Sequence, residues 1–208
     1  MINKENPTIR SYVVTYDGGL APNPSYGVTN NNGHTYLTLS VCKPVIRRTA
    51  NEGDWIVGLT GTSFENRIVY VMVVSAILSF DEYYKSDEFE YKIPDLKSKN
   101  PQIVAGDNFY KPIGHGNFIQ LPSLHSNPDG TPNKKHQTRD LSGKSILVAE
   151  EYYYYGENAI ILPESLSALI VGRGHRNSKE IRLLNNLRRY MDTQTVGIHG
   201  KPKLLGKK

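Results

Sequence analysis

The stretch Trp55-Ile56-Val57-Gly58-Leu59-Thr60-Gly61-Thr62-Ser63-Phe64-Glu65-Asn66-Arg67-Ile68-Val69-Tyr70-Val71-Met72-Val73-Val74 reads as strand, turn, strand. β-Branched and aromatic residues crowd both ends, where stiff side chains suit a pleated surface, and Gly61–Asn66 supplies the turn formers. The second run continues to Leu78. Working outward, Arg10–Tyr16 (RSYVVTY) and Thr35–Val41 (TYLTLSV) carry the same signal, with a Gly-, Pro- and Asn-rich loop at Asp17–Asn32 between them. Together these strands predict one curved, mostly antiparallel sheet. Ser145–Tyr155 predicts a late strand whose four tyrosines alternate faces, two in the core and two wet.

Helical signals are fewer. Phe80–Lys85 reads as a short helix after Ser79 or Asp81. Asn177–Met191 is the clearest helix, with Ile181, Leu184, Leu187 and Met191 as its apolar stripe. Asn177 and Glu180 have the spacing of a capping box. Tyr91–Gly143 is polar and turn-rich, a length that in a compact domain marks a functional loop region or a disordered one. The expected class is α+β, a curved mostly antiparallel sheet or partial barrel with a C-terminal amphipathic helix. One domain is expected, with a core of about residues 10–192 and a basic tail over 193–208.

Composition narrows the function classes. With 38% hydrophobic and 22% charged residues in 208, the chain is globular. No apolar run approaches membrane-spanning length, and Met1–Arg10 lacks the apolar segment of a signal peptide, so a cytoplasmic protein without a membrane partner is expected. A single cysteine, Cys42, excludes an internal disulfide. It follows an apolar strand and reads as a small buried hydrophobe, although the adjacent Lys43 favours a thiolate. From Ile170 to Lys208 there are ten basic and two acidic residues, against 15 and 18 in the remainder. Such a segment attracts nucleic acid or simply aids solubility.

Three segments carry chemical information. Arg47 and Arg48, before Gly53-Asp54-Trp55, offer guanidinium forks suited to phosphate; the alternative pairs one of them with Asp54. Gly172-Arg173-Gly174-His175-Arg176 precedes the predicted last helix, where free amides, glycines and cations suit an anion, or simply form a turn. A phosphate site shared by Arg173, Gly174, His175 and Arg176 with Arg47 and Arg48 is therefore expected. The third is a scattered polar set, Asp107, Asn108, His125, Ser126 and Asp140, in which Asp107 and His125 are candidates for acid–base catalysis. Their spacing matches no metal motif, and no cofactor signature is present.

Tyr16-Asp17-Gly18-Gly19, Ala21-Pro22-Asn23-Pro24, Gly27, Lys43-Pro44, Ile46-Arg47-Arg48-Thr49-Ala50, Gly53-Asp54-Trp55, Gly106-Asp107-Asn108-Phe109-Tyr110, His125-Ser126 and Gly172–Arg176 follow one another in a specific order. In this the chain resembles the second type of nucleotide modification associated domain of phages and bacteria. That family is named for its genomic company with systems that modify nucleotides or DNA. The run from Ile46 to Leu78 also looks like PUA-like barrels such as the EVE, YTH and ASCH domains, which implies a partial barrel with an open pocket for a base. The resemblance implies a nucleotide or nucleic-acid partner in a modification or phage–host conflict setting. Arg47, Arg48, Arg173 and Arg176 would then grip phosphate, with Trp55 stacked on a base. Two alternatives stay open: a nucleotide-modifying enzyme using Asp107 and His125, and a protein-interaction subunit.

Overall fold

The computed structural model describes residues 7–25 and 28–203. Tyr26 and Gly27 of the first loop, Met1–Asn6, and the end of the basic tail from Leu204 lie outside the described residues. In chain order the elements are β1 (Ile9–Val13), β2 (Leu37–Leu39), α1 (Pro44–Thr49), β3 (Trp55–Leu59), β4 (Ile68–Val73) and β5 (Ala76–Ser79). There follow α2 (Phe80–Lys85), α3 (Pro101–Val104), β6 (Tyr110–Gly114), β7 (Asn117–Gln120), α4 (Lys134–Leu141) and β8 (Ser145–Ala149). The chain ends with β9 (Tyr152–Tyr154), β10 (His175–Ser178), α5 (Ile181–Met191) and β11 (Gly197–Ile198). No helix among the described residues is long and apolar enough to cross a membrane. The chain divides into two compact units, one of Met1–Asp17, Ala50–Ser75 and Ala149–Lys208, the other of Gly18–Thr49 and Ala76–Val148.

The first unit holds a six-stranded sheet in the order β10-β1-β3-β4-β9-β11. β1 pairs in parallel with β3, and β9 with β11; the other neighbours are antiparallel. The order is open at β10 and β11, so this sheet is not the barrel that the PUA-like resemblance implies. Ile9, Trp55, Val57, Leu59, Ile68 and Val71 pack with Leu183, Leu184, Leu187 and Met191 of α5. The predicted stripe is thus shifted, because Leu183 is buried while Ile181 is 61% exposed. The helix also starts later than its periodicity predicts. Residues 175–178 take their backbone partners from β1, which holds them extended. Asn177 is therefore a strand residue, and Glu180 at the cap makes no side-chain cap bond. All four tyrosines from Tyr152 to Tyr155 are buried, not two. Tyr153 and Tyr155 join the α5 core, while the Tyr154 hydroxyl reaches both oxygens of Asp17 at 2.8 and 2.7 Å. A satisfied hydroxyl removes the main penalty for burying such a ring.

The second unit holds a three-stranded sheet, β2-β8-β5, and the hairpin β6–β7. β2 and β5 therefore do not share a sheet with β1, β3 and β4, contrary to the single sheet expected over Arg10–Leu78. The run Arg67–Leu78 is broken between Val73 and Ala76, and its continuous apolar character gives no sign of the break. α2 starts at a reciprocal capping box. The Ser79 hydroxyl accepts from the Glu82 amide at 3.2 Å, and the Glu82 carboxylate from the Ser79 amide at 2.7 Å. Tyr91–Gly143 is not structureless. The turn Gly114-His115-Gly116, all at positive φ, closes the β6–β7 hairpin, and Asn133 caps α4 by accepting the His136 amide at 3.1 Å. The aromatic core of this unit, including Phe80, Tyr83, Phe89, Phe109 and Tyr110, packs against Cys42 and Leu141.

Candidate functional site

Within the second unit three distant parts of the chain converge. After β2 the backbone turns through Cys42 and Lys43 with φ of 56° and 37°, and then enters α1 at Pro44. Both non-glycine residues sit in the left-handed region, which is uncommon and needs outside support. That support is Arg47, which has no exposed surface. Its Nε donates to the Cys42 carbonyl at 2.8 Å, its Nη1 to the Ser145 carbonyl at 2.7 Å, and its Nη2 to the Asp140 carbonyl. A Cβ at position 143 would overlap the guanidinium, so Gly143 leaves the room it needs. Burial lowers the Arg47 pKa to about 10 against the opposing pull of Asp140 and Cys42, which leaves the group charged at neutral pH.

The anchored turn presents Cys42, half-buried, to His125. The Cys42 Sγ lies 3.8 Å from His125 Nε2, and His125 Nδ1 donates to Asp140 Oδ2 at 2.6 Å. Thiol, imidazole and carboxylate thus stand in line. Asp140 sits in the last turn of α4, where a negative charge opposes the helix dipole, and is fully buried. Four donors compensate. Oδ1 accepts from the Cys42 amide at 2.9 Å and Arg139 Nε at 3.1 Å; Oδ2 accepts from Tyr110 Oη at 3.0 Å besides His125. His136 lies edge-on to the His125 ring at 4.5 Å between centroids.

The charges follow from this geometry. Burial pulls the His125 pKa down, but hydrogen bonds and charge from Asp140 and Cys42 outweigh it and raise the value to about 9. Burial pushes Asp140 up, but His125, the Cys42 amide and Arg139 bring it down to about 2. At neutral pH the pair is therefore imidazolium–carboxylate, with the Nε2 proton facing sulfur. Stability should follow. The raised His125 pKa contributes on the order of 3 kcal/mol, fully present below its unfolded value near 6.5 and lost as pH rises through about 9. The lowered Asp140 pKa contributes above its unfolded value of 3.8, and this is lost as pH falls toward about 2. The two describe one coupled pair and do not add. Urea melts across pH 6 to 10 should show the alkaline loss in the native chain and a flatter profile in His125→Gln.

The ligand atoms of Cys42, His125 and Asp140 also lie within 4.8 Å of one another, a span compatible with a metal. The donor chemistry favours a nucleophile instead. Both Asp140 oxygens are already taken by four donors, and the cations Arg47, Arg139 and Lys43 act on the same centre.

The other sequence candidates fall elsewhere. Asp107 is buried, but it accepts from Tyr83 Oη at 2.7 Å and Thr38 Oγ1 at 2.8 Å; the carboxylate that His125 uses is Asp140. Asn108 donates to the carbonyls of Tyr83 and Phe89 at 3.2 and 3.1 Å, a bracing role. Ser126 bonds within its own turn, to Ser123 and Leu121. Arg47 turns its forks onto carbonyls, and Arg48 is exposed. Asp54 pairs with neither arginine but with Arg10, at 3.1 Å. Trp55 is in the core of the first unit. Arg173, Gly174, His175 and Arg176 belong to that unit too, in the turn before β10 and in β10 itself. They do not precede a helix directly, and Arg176 Nη1 donates to the Ala168 carbonyl at 2.7 Å. A cleft of about 510 Å³ in the first unit has Phe64 as its one aromatic wall and mixes Glu65 and Glu157 with Arg67 and Lys203. Sequence reasoning flagged His125 and Asp140 but assigned Cys42 to packing. The available signal was one cysteine in a chain that also has histidine and aspartate to spare.

A family model described as nucleotide modification associated domain 2 matches residues 6–207. No curated protein and no solved structure matches the chain.

Proposed function

The chain belongs to the nucleotide modification associated domain 2 family, and from that premise we propose that it is a thiol enzyme acting on a nucleotide, free or within nucleic acid. The observation that carries this reading is the line from Cys42 Sγ through His125 to Asp140. A thiol becomes a strong nucleophile when an adjacent imidazole takes its proton, and a carboxylate behind the imidazole fixes the ring and stabilises its charged form. Sγ attacks an acyl-type carbon of the substrate and an S–C bond forms. The leaving group departs with its electron pair and takes the proton held at His125 Nε2. Water or another acceptor then gives a proton to His125, breaks the S–C bond and restores the sulfur.

The test is a panel of nucleotides with ester or amide substituents, offered free and within oligonucleotides. Intact-protein mass spectrometry reads an adduct on Cys42, and chromatography reads the product. Adduct and product are expected with the native chain and neither with Cys42→Ala, which removes little from a half-buried site. Product formation that persists in folded Cys42→Ala would defeat the proposal.

A further inference from the structure

Cationic side chains gather around the thiol. Lys43, Arg47, Arg139 and protonated His125 act on it, and the carboxylate among them is the fully buried Asp140. Arg47 is enclosed and its donors go to carbonyls. Arg139 is different. Its side chain is 41% exposed, Nε holds Asp140, and Nη2 lies 3.4–3.5 Å from the two ring nitrogens of His125. Nη1 donates to no protein group among the described residues. A guanidinium beside an imidazolium is repelled unless anions lie near both. Asp140 and the Cys42 sulfur supply them on the inner side, and on the solvent side no carboxylate among the described residues meets the Nη1 edge. Lys43 stands near the same centre: burial lowers its pKa, Cys42 opposes that, and Arg139 lowers it further, so the two cations feel each other.

We propose that the Cys42 site selects substrates with a compact oxyanion, phosphate or carboxylate, within a few bonds of the attacked carbon, and that Arg139 reads that group through its open Nη edge with Lys43 in support. The proposal rests on Cys42 being the nucleophile. It adds a substrate class to that reading and makes Arg139 a specificity residue. Guanidinium forks hold oxyanions in paired hydrogen bonds, which are stronger beside a partly desolvated surface.

Alkylation tests this without a known substrate, because the chain has one cysteine. Iodoacetamide and iodoacetate react alike: the S–C bond forms, the C–I bond breaks, and iodide leaves with the electron pair. They differ by one carboxylate next to the attacked carbon. An ordinary thiolate repels that carboxylate and reacts more slowly with iodoacetate. Cys42 should react at least as fast with iodoacetate, and the ratio of the two rates should fall about tenfold in Arg139→Gln and less in Arg139→Lys. Lys43→Gln should lower it in the same direction, which keeps the test available if Arg139→Gln misfolds. Protection by inorganic phosphate but not acetate assigns the anion as phosphate, and the reverse as carboxylate; protection by neither overturns the proposal. Fast reaction with iodoacetamide, but a ratio below that of a free thiol or unmoved by Arg139→Gln and Lys43→Gln, overturns the anion selection alone. Slow alkylation by both reagents, independent of His125, overturns the thiol-enzyme reading and this proposal with it.

Discussion

Replacing His125 with Asn is expected to slow alkylation of Cys42 by iodoacetamide at pH 7 by about a hundredfold, the low end of what a positioned proton acceptor contributes. The argument is geometric. His125 Nε2 faces Sγ at 3.8 Å, and its other nitrogen is tied to a carboxylate with no exposure to solvent. Without the imidazole the thiol keeps its proton or gives it to bulk water, and the Asp140 charge remains to disfavour a second anion. The pH–rate profile is the sharper readout. The rate of the native chain should inflect as His125 titrates near 9, and His125→Asn should lack that inflection. A variant within about threefold of the native rate across the profile would remove His125 from the chemistry.

The second large effect is expected from Arg47→Met, which keeps much of the stem and removes the fork. Three carbonyls, of Cys42, Asp140 and Ser145, lose their donor in a site closed to solvent. Stranded acceptors cost about 1–3 kcal/mol each, and relaxation with entering water recovers part, so the net loss is roughly 4 kcal/mol. For a chain of this size that is a fall of about 10 °C in the melting midpoint. Arg47→Lys should lose most of the same stability, since one ammonium cannot span three carbonyls set around a planar fork. Gly143→Ala should weaken the site from the other side, because its methyl group would occupy the guanidinium's place. Scanning fluorimetry decides between this and a surface role for Arg47, under which no variant shifts the midpoint by more than about 2 °C.

What the sequence discloses and what it conceals differ by range. Trp55–Leu59 and the strand after Arg67 are legible because buried β-branched runs leave a local signature. α2 is legible through Ser79 and Glu82, three residues apart. The late start of α5 is not, because β1 takes residues 175–178 into a ladder formed with a segment at the other end of the chain. The candidate site is concealed for the same reason. Cys42 and His125 are 83 residues apart, and the Cys42 amide reaches an aspartate 98 residues away. Two arginines in a row look like a phosphate grip; only the packed structure shows that Arg47 has been drawn inward to hold the turn before it. The pairing of Asp107 with His125 fails likewise, since no local rule says which of several aspartates a histidine will meet.

The path of the chain carries one more consequence. It passes from one compact unit to the other after Asp17, Thr49, Ser75 and Val148. Neither unit is a contiguous piece of this sequence, and shortening the sequence from either side takes strands from the first unit before it reaches the second. A deletion series would thus report every region as required and locate nothing; single side-chain changes are the way to divide this protein. Synthesis meets the same constraint. The Cys42 sulfur is synthesised before its imidazole and carboxylate neighbours, so a nascent chain that stops short of Asp140 lacks the line of groups described above.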